Sequence, residues 1–176
     1  MSDTYQVENN AIDGEDEMGS WYHSSTQTKL ASLLDREESF FVVTELSLDI
    51  SPYDLSEYRL DAKNEIKPDV CVYLKRPIIP DKETDLVTVS QMPDLAIEVL
   101  SPRQSISYLT RKIKAYFELG VRSAWLVNPE QGIISIYSTP NRGKPFSYKD
   151  VEAIDEIMNI RLPIQKVFYW FFEEVQ

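Results

Sequence analysis

PDLAIEVLSPRQSISYLTRKIKAYFELGVRSAWLV, residues 93–127, changes its hydrophobic period twice. LAIEVL (95–100) is a short apolar, partly β-branched run that predicts a strand. After Ser101, Pro102 and Arg103 the apolar positions fall at Ile106, Leu109, Ile113, Tyr116 and Phe117, one face of a helix, and Gly120 is well placed to end it. VRSAWLV then returns to strand character. Strand, helix and strand in close succession point to an α/β domain.

Working outward, IKPDVCVYL (66–74) reads as a strand closed by the proline-rich loop RPIIPDKET, and FFVVTELSLDI (40–50) as another. The stretch between them, SPYDLSEYRLDAKN, is irregular. Ser24 or Ser25 is placed to cap a helix running to about Asp35, with Leu30, Leu33 and Leu34 as its apolar stripe. Downstream, IISIYS follows VRSAWLV as a strand after the turn-like NPEQG. A loop is expected around Pro140 to Pro145, then a short aromatic helix, KVFYWFFEEV. The order is α-β-β-β-α-β-β, a mixed α/β domain with one central sheet flanked by helices. Residues 1–20 are acidic and aperiodic, a predicted disordered tail, and residues 21–176 a single domain.

Composition narrows the chemistry. The single histidine, His23, rules out a Ser-His or Cys-His pair elsewhere and any site needing two imidazoles; it reads as a surface residue at a helix start. The single cysteine, Cys71, sits in the apolar run VCVYL and reads as core. No run is long and apolar enough for a membrane span, and the acidic N-terminus is unlike a basic leader, so a cytoplasmic location without membrane contact is expected. The net charge of −11 disfavours a nucleic-acid partner, but it is unevenly spread. Residues 1–28 hold six acids and no Lys or Arg, whereas residues 99–122 hold Arg103, Arg111, Lys112, Lys114 and Arg122 against Glu118 alone.

The remaining chemistry lies with acids. In a strand Asp94, Ala96, Glu98 and Leu100 share one face, with Asp94 near the solvent-exposed start and Glu98 well inside. An isolated buried carboxylate costs several kcal/mol, so Glu98 must be paired, shift its pKa or bind a metal. Asp69, opening VCVYL, faces the same constraint. Converging carboxylates suit a hard cation, Mg2+ or Mn2+, which activates water and polarises a phosphodiester. A nearby lysine would then orient the water or stabilise the developing charge, and the candidates are on the following helix. Lys112 and Lys114 flank the apolar stripe on opposite sides, about 100° from Ile113, and geometry does not choose between them. Each feature has a plainer reading: Asp94 and Asp69 as strand-start residues, Glu98 as half of a structural ion pair, Glu45 as an exposed residue beside Val43 and Ser47.

Taken together, HSSTQTKLASLL, KPDVCVY, PDLAIEVLSP and RKIKAYFELGVRSAWLVNPE resemble the Uma2 family, also called domain of unknown function 820, over about residues 21–137. That resemblance implies a restriction-endonuclease-like fold of the PD-(D/E)XK superfamily, whose core order is α-β-β-β-α-β. It implies Asp69 and Glu98 as metal ligands and catalytic acids, and it selects Lys112 as the catalytic lysine. Asp94, Glu45 and Lys114 are auxiliary candidates. The family pattern also shows departures: Leu100 stands where the superfamily's strand lysine usually falls, and Tyr108 and Asn128 replace acids found in many relatives.

The expectation is a metal-dependent endonuclease that hydrolyses DNA, with Arg103, Arg111, Lys114 and Arg122 as DNA contacts and a homodimer as the assembly. The alternatives are a catalytically silent nuclease-fold domain that binds a protein or nucleic acid, and a carboxylate-pair glycoside hydrolase, which the lack of a clear row of exposed aromatics ranks last.

Overall fold

The computed structural model describes residues 19–174, so nearly all of the predicted acidic tail lies outside the described residues. Its centre is a six-stranded mixed sheet. In chain order the elements are α1 (Trp21–Leu34), β1 (Phe41–Thr44), β2 (Leu48–Asp49), β3 (Glu65–Ile66), β4 (Val70–Tyr73), β5 (Leu95–Val99), α2 (Ile106–Glu118), β6 (Ser123–Asn128), β7 (Ile133–Thr139), β8 (Arg142–Ser147), β9 (Glu152–Asp155), β10 (Ile160–Pro163) and α3 (Ile164–Val167). Sheet order is β1-β4-β5-β6-β7-β8. Within it β5 and β6 are parallel and the other neighbours antiparallel. A parallel pair needs a crossover, and α2 supplies it.

Alternation along the strands divides the core. Leu95, Ile97 and Val99 of β5 face a cluster with Leu30 and Leu34 of α1 and with Leu162, Val167 and Phe168 from the C-terminal region. Ala96 faces the other cluster, with Leu109, Ile113 and Tyr116 of α2 and Cys71 of β4. The sheet is thereby covered on both faces. Cys71 is fully buried, as its apolar setting predicts, and burial pushes its thiol well above the usual range.

Several local expectations are corrected. Helix α1 starts earlier than Ser24 or Ser25: Ser20 is its cap, its hydroxyl accepting the His23 N–H at 3.3 Å. The predicted strand 40–50 breaks into β1 and β2 at Glu45, whose φ of 52° lies in the left-handed region. The predicted strand 66–74 breaks at Pro68. Part of the expected Pro140–Pro145 loop is the edge strand β8, where proline is tolerated. The hairpin β9–β10 was not expected; Asn159 turns its corner with φ 55°. The aromatic C-terminus forms only the short α3 and a 3-10 turn, Tyr169–Phe171. Val167 and Phe168 are fully buried, so that run serves the core. No helix among the described residues is long and apolar enough to cross a membrane.

Candidate active site

The pairing of β4 with β5 matches Val70 with Ile97, and one step further along that register sets Asp69 opposite Glu98. Both side chains lie on the α2 side of the sheet by alternation with Cys71 and Ala96. Like charges directly opposite each other are unfavourable, and here they are also desolvated: Asp69 and Glu98 are each 1% exposed. Side chains from both helices manage this cost.

Helix α2 brings two groups, four residues apart, onto Glu98. The Lys112 ammonium lies 3.0 Å from Glu98 Oε1 and also donates to the Lys67 carbonyl at 3.2 Å. The Tyr116 hydroxyl donates a short hydrogen bond to the same Oε1. Burial pushes Glu98 up to about 7; Lys112 opposes that rise and the Asp69 charge adds to it. Tyr116 is held well above its ordinary value by burial and by the Glu98 charge, so its hydroxyl stays a donor.

Asp69 is gripped from the other side. Its Oδ2 accepts the Val99 N–H at 2.6 Å. From α1, His23 Nε2 lies 3.2 Å from Asp69 Oδ1, and the Gln27 amide donates to the Asp69 carbonyl at 3.0 Å. His23 and Asp69 Oδ1 meet at ion-pair distance without hydrogen-bond alignment. Burial on its own lowers the imidazole, but its close polar contact with Asp69, together with the charges of Asp69, Glu98 and Glu45, outweighs that and raises His23 above its usual value.

The structure thus brings Asp69, Glu98 and Lys112 together and adds His23 and Tyr116. Lys112, not Lys114, faces the acids. Lys114 is half-buried beside Arg111, Glu57 and Tyr58 in a separate depression of about 410 Å³. Asp94 lies at the other end of β5: its carboxylate accepts the Leu74 N–H at 2.8 Å and stands 3.6 Å from the Arg122 guanidinium. Its place is therefore the plainer one, a strand-start residue away from the acids. Glu45 is exposed; its N–H donates to the Asp69 carbonyl at 3.2 Å, and its charge acts on His23.

The basic segment does not form one face. Arg122 sits at the Asp94 end, Arg103 follows the opposite end of β5, and Arg111 stacks over Tyr108 with its guanidinium carbon 5.5 Å from the ring centre. Asn128 accepts the Gln131 N–H at 3.2 Å and shapes the turn after β6.

His23 corrects the expectation of a surface residue, being 1% exposed. The buried residues of α1 are His23, Thr26, Leu30 and Leu34, spaced by three, four and four. That helical spacing carries the signal, and extending the leucine stripe backwards reaches His23. Tyr116 was placed on the apolar face of its helix; the role of its hydroxyl follows only once the sheet sets Glu98 beneath it.

In donor chemistry the pair fits a hard divalent cation. Asp69 and Glu98 offer carboxylate oxygens, and Asp69 Oδ1 is buried without a hydrogen bond. Among the described residues no group of three or more acids, histidines and cysteines has metal-holding geometry.

Comparison with known proteins accords with this architecture. The family model Uma2, described as "Putative restriction endonuclease", matches residues 5–166. A crystal structure from Anabaena variabilis, described as a putative nuclease belonging to DUF820, superposes with a TM-score of 0.67 at 20% identity, covering 87% of this chain and 83% of that one. At that identity the likeness establishes the shared fold. No curated protein matches the sequence.

Proposed function

The chain belongs to the Uma2 family, and from that premise we propose that it is a metal-dependent endonuclease hydrolysing DNA phosphodiester bonds. The observation that carries the reading is the contact of Lys112 with Glu98, 3.0 Å apart, beside Asp69 in the sheet. It supplies from a helix a lysine in place of the one that the family resemblance expects at Leu100, just after β5.

Asp69 and Glu98 would hold Mg2+ or Mn2+, which when bound polarises the phosphodiester and acidifies a coordinated water. The chain's own residues prepare that event. Val99 N–H and His23 fix the orientation of Asp69, and Gln27 anchors its backbone. Lys112 holds a compact positive charge at the acids, where it offsets negative charge developing on phosphate. Tyr116 fixes the Glu98 head group by donating to Oε1. Glu98, raised to about 7, must be ionised to serve as a ligand, so metal affinity rises with pH through that range.

The near-complete burial of Asp69, Glu98 and Lys112, at 1%, 1% and 2% exposure, favours a second reading: a catalytically silent nuclease-fold domain that binds a protein or nucleic-acid partner. Plasmid cleavage with Mg2+ or Mn2+ by wild type, Glu98→Gln and Asp69→Asn separates the two. Cleavage by wild type that both substitutions abolish supports the enzyme. Inactive wild type together with tight plasmid binding supports the silent domain.

A further inference from the structure

The central sheet has two edges, and the chain treats them differently. Edge strand β8, RGKPFS, carries Arg142, Lys144 and Pro145, and its pairing is interrupted by a register shift between Tyr137 and Thr139. Charge, proline and irregularity are the devices that stop an edge from recruiting another strand. The other edge strand, β1, is FVVT: uncharged, an aromatic residue followed by three β-branched ones, and without proline.

The bonding parity of β1 shows what it leaves open. The Glu45 N–H donates to the Asp69 carbonyl at 3.2 Å, one step beyond the pairs Phe41↔Tyr73 and Val43↔Cys71. Residues 41, 43 and 45 therefore bond inward, and the backbone groups of Val42 and Thr44 point outward. Among the described residues no backbone hydrogen bond outside helices and strands involves either of them. Phe41 and Val43 are 43% and 38% exposed. They line a groove of about 350 Å³ with Leu46, Ile79 and Leu86, and charged Asp35, Arg76 and Asp85 also line it. None of these three charged residues forms an ion pair with another described residue.

We propose that this edge receives a second copy of the same chain, with the two β1 strands antiparallel about a two-fold axis at Val43. In that register Val42 of one copy faces Thr44 of the other, so both pairs of outward groups are satisfied, and Val43 meets its own image. Phe41, Val43 and their two-fold mates form one continuous apolar strip. The open groups of β1 have the parity that an antiparallel copy of the same strand matches, and a lining with both acids and a base favours a second copy over a uniformly charged partner. Glu45, leaving the strand at φ 52°, limits the pairing to this short segment.

Sedimentation velocity on the full chain at micromolar concentration tests this, with Val43→Lys and Thr44→Pro beside wild type. The first puts like charges together at the axis. The second removes an outward N–H that β4 does not use, and its melting curve reports whether the fold persists. A wild-type dimer with both variants monomeric and Thr44→Pro melting as wild type is the expected result. If Thr44→Pro does not fold, Val43→Lys alone decides. A monomeric wild type, or a dimer that survives Val43→Lys, overturns the proposal; a dimer lost in Val43→Lys but kept in a folded Thr44→Pro overturns the strand pairing.

Discussion

Asp94 and Glu98 flank one strand on one face, yet they occupy opposite electrostatic environments. The Asp94 side chain is 25% exposed, its ion-pair partner Arg122 is 51% exposed, and water screens the contact. The side chains of Glu98 and Lys112 are 2% and 3% exposed, and nothing screens theirs. Four residues of strand, about 13 Å, separate a carboxylate whose charge is easily tolerated from one that must be supported by two helices. The difference teaches that depth along β5, rather than residue type or face, assigns the chemistry.

The comparison breaks most readily at the deep end. Glu98→Ala removes the carboxylate that the buried Lys112 ammonium contacts at 3.0 Å and is expected to cost about 3–5 kcal/mol, read by chemical denaturation. If that variant is as stable as wild type, the buried pair does not exist as described. Glu98→Gln keeps the shape and the Tyr116 contact, and its expected effect is on chemistry: plasmid cleavage falls by about a hundredfold or more.

A pH series sharpens the same contrast. Glu98 titrates near 7 in the folded chain, above the ordinary value of 4.5, so the native state holds the extra proton between those values. Stability from this group is full below 4.5 and falls as pH rises through about 7, by on the order of a few kcal/mol. His23, also raised, acts in the same direction: its contribution is present below 6.5 and lost as pH rises through its folded value. Wild-type stability relative to Glu98→Gln should therefore fall as pH rises from 4.5 through about 7; a difference that stays flat with pH refutes the buried titration.

His23→Ala removes the imidazole beside Asp69 Oδ1 and is expected to cost about 1–3 kcal/mol, measured by thermal melting, with cleavage reduced more than its stability loss explains. The smallest effect belongs to the shallow end. Asp94→Ala loses the Leu74 N–H contact and a screened ion pair, about 0.5–1.5 kcal/mol, and leaves cleavage unchanged.

Much of this was legible in the sequence because it rests on periodicity. The shift from strand to helix around Ser101 fixed β5, α2 and β6, and alternation put Glu98 on the inner face. The Lys112 and Lys114 choice was not legible from helix geometry, since both flank the stripe equally; the family pattern selected Lys112, and the sheet sets Glu98 on that side. His23 escaped because a polar residue on an apolar stripe reads as a helix-start residue until its partner, forty-six positions away in sequence, is known. The hairpin β9–β10 escaped because EAID and IRLP are short, and the Asp155 charge in the first is buried only with partners distant in sequence, Ser123 and Trp125 donating to Asp155.

The central claim, that the deep end of β5 is the metal-binding and catalytic end, is tested most directly by Mn2+ titration calorimetry on wild type, Glu98→Gln and Asp94→Asn under identical conditions. The account predicts binding in wild type and Asp94→Asn and its loss in Glu98→Gln. Absence of binding in wild type, or its loss in Asp94→Asn with retention in Glu98→Gln, contradicts it.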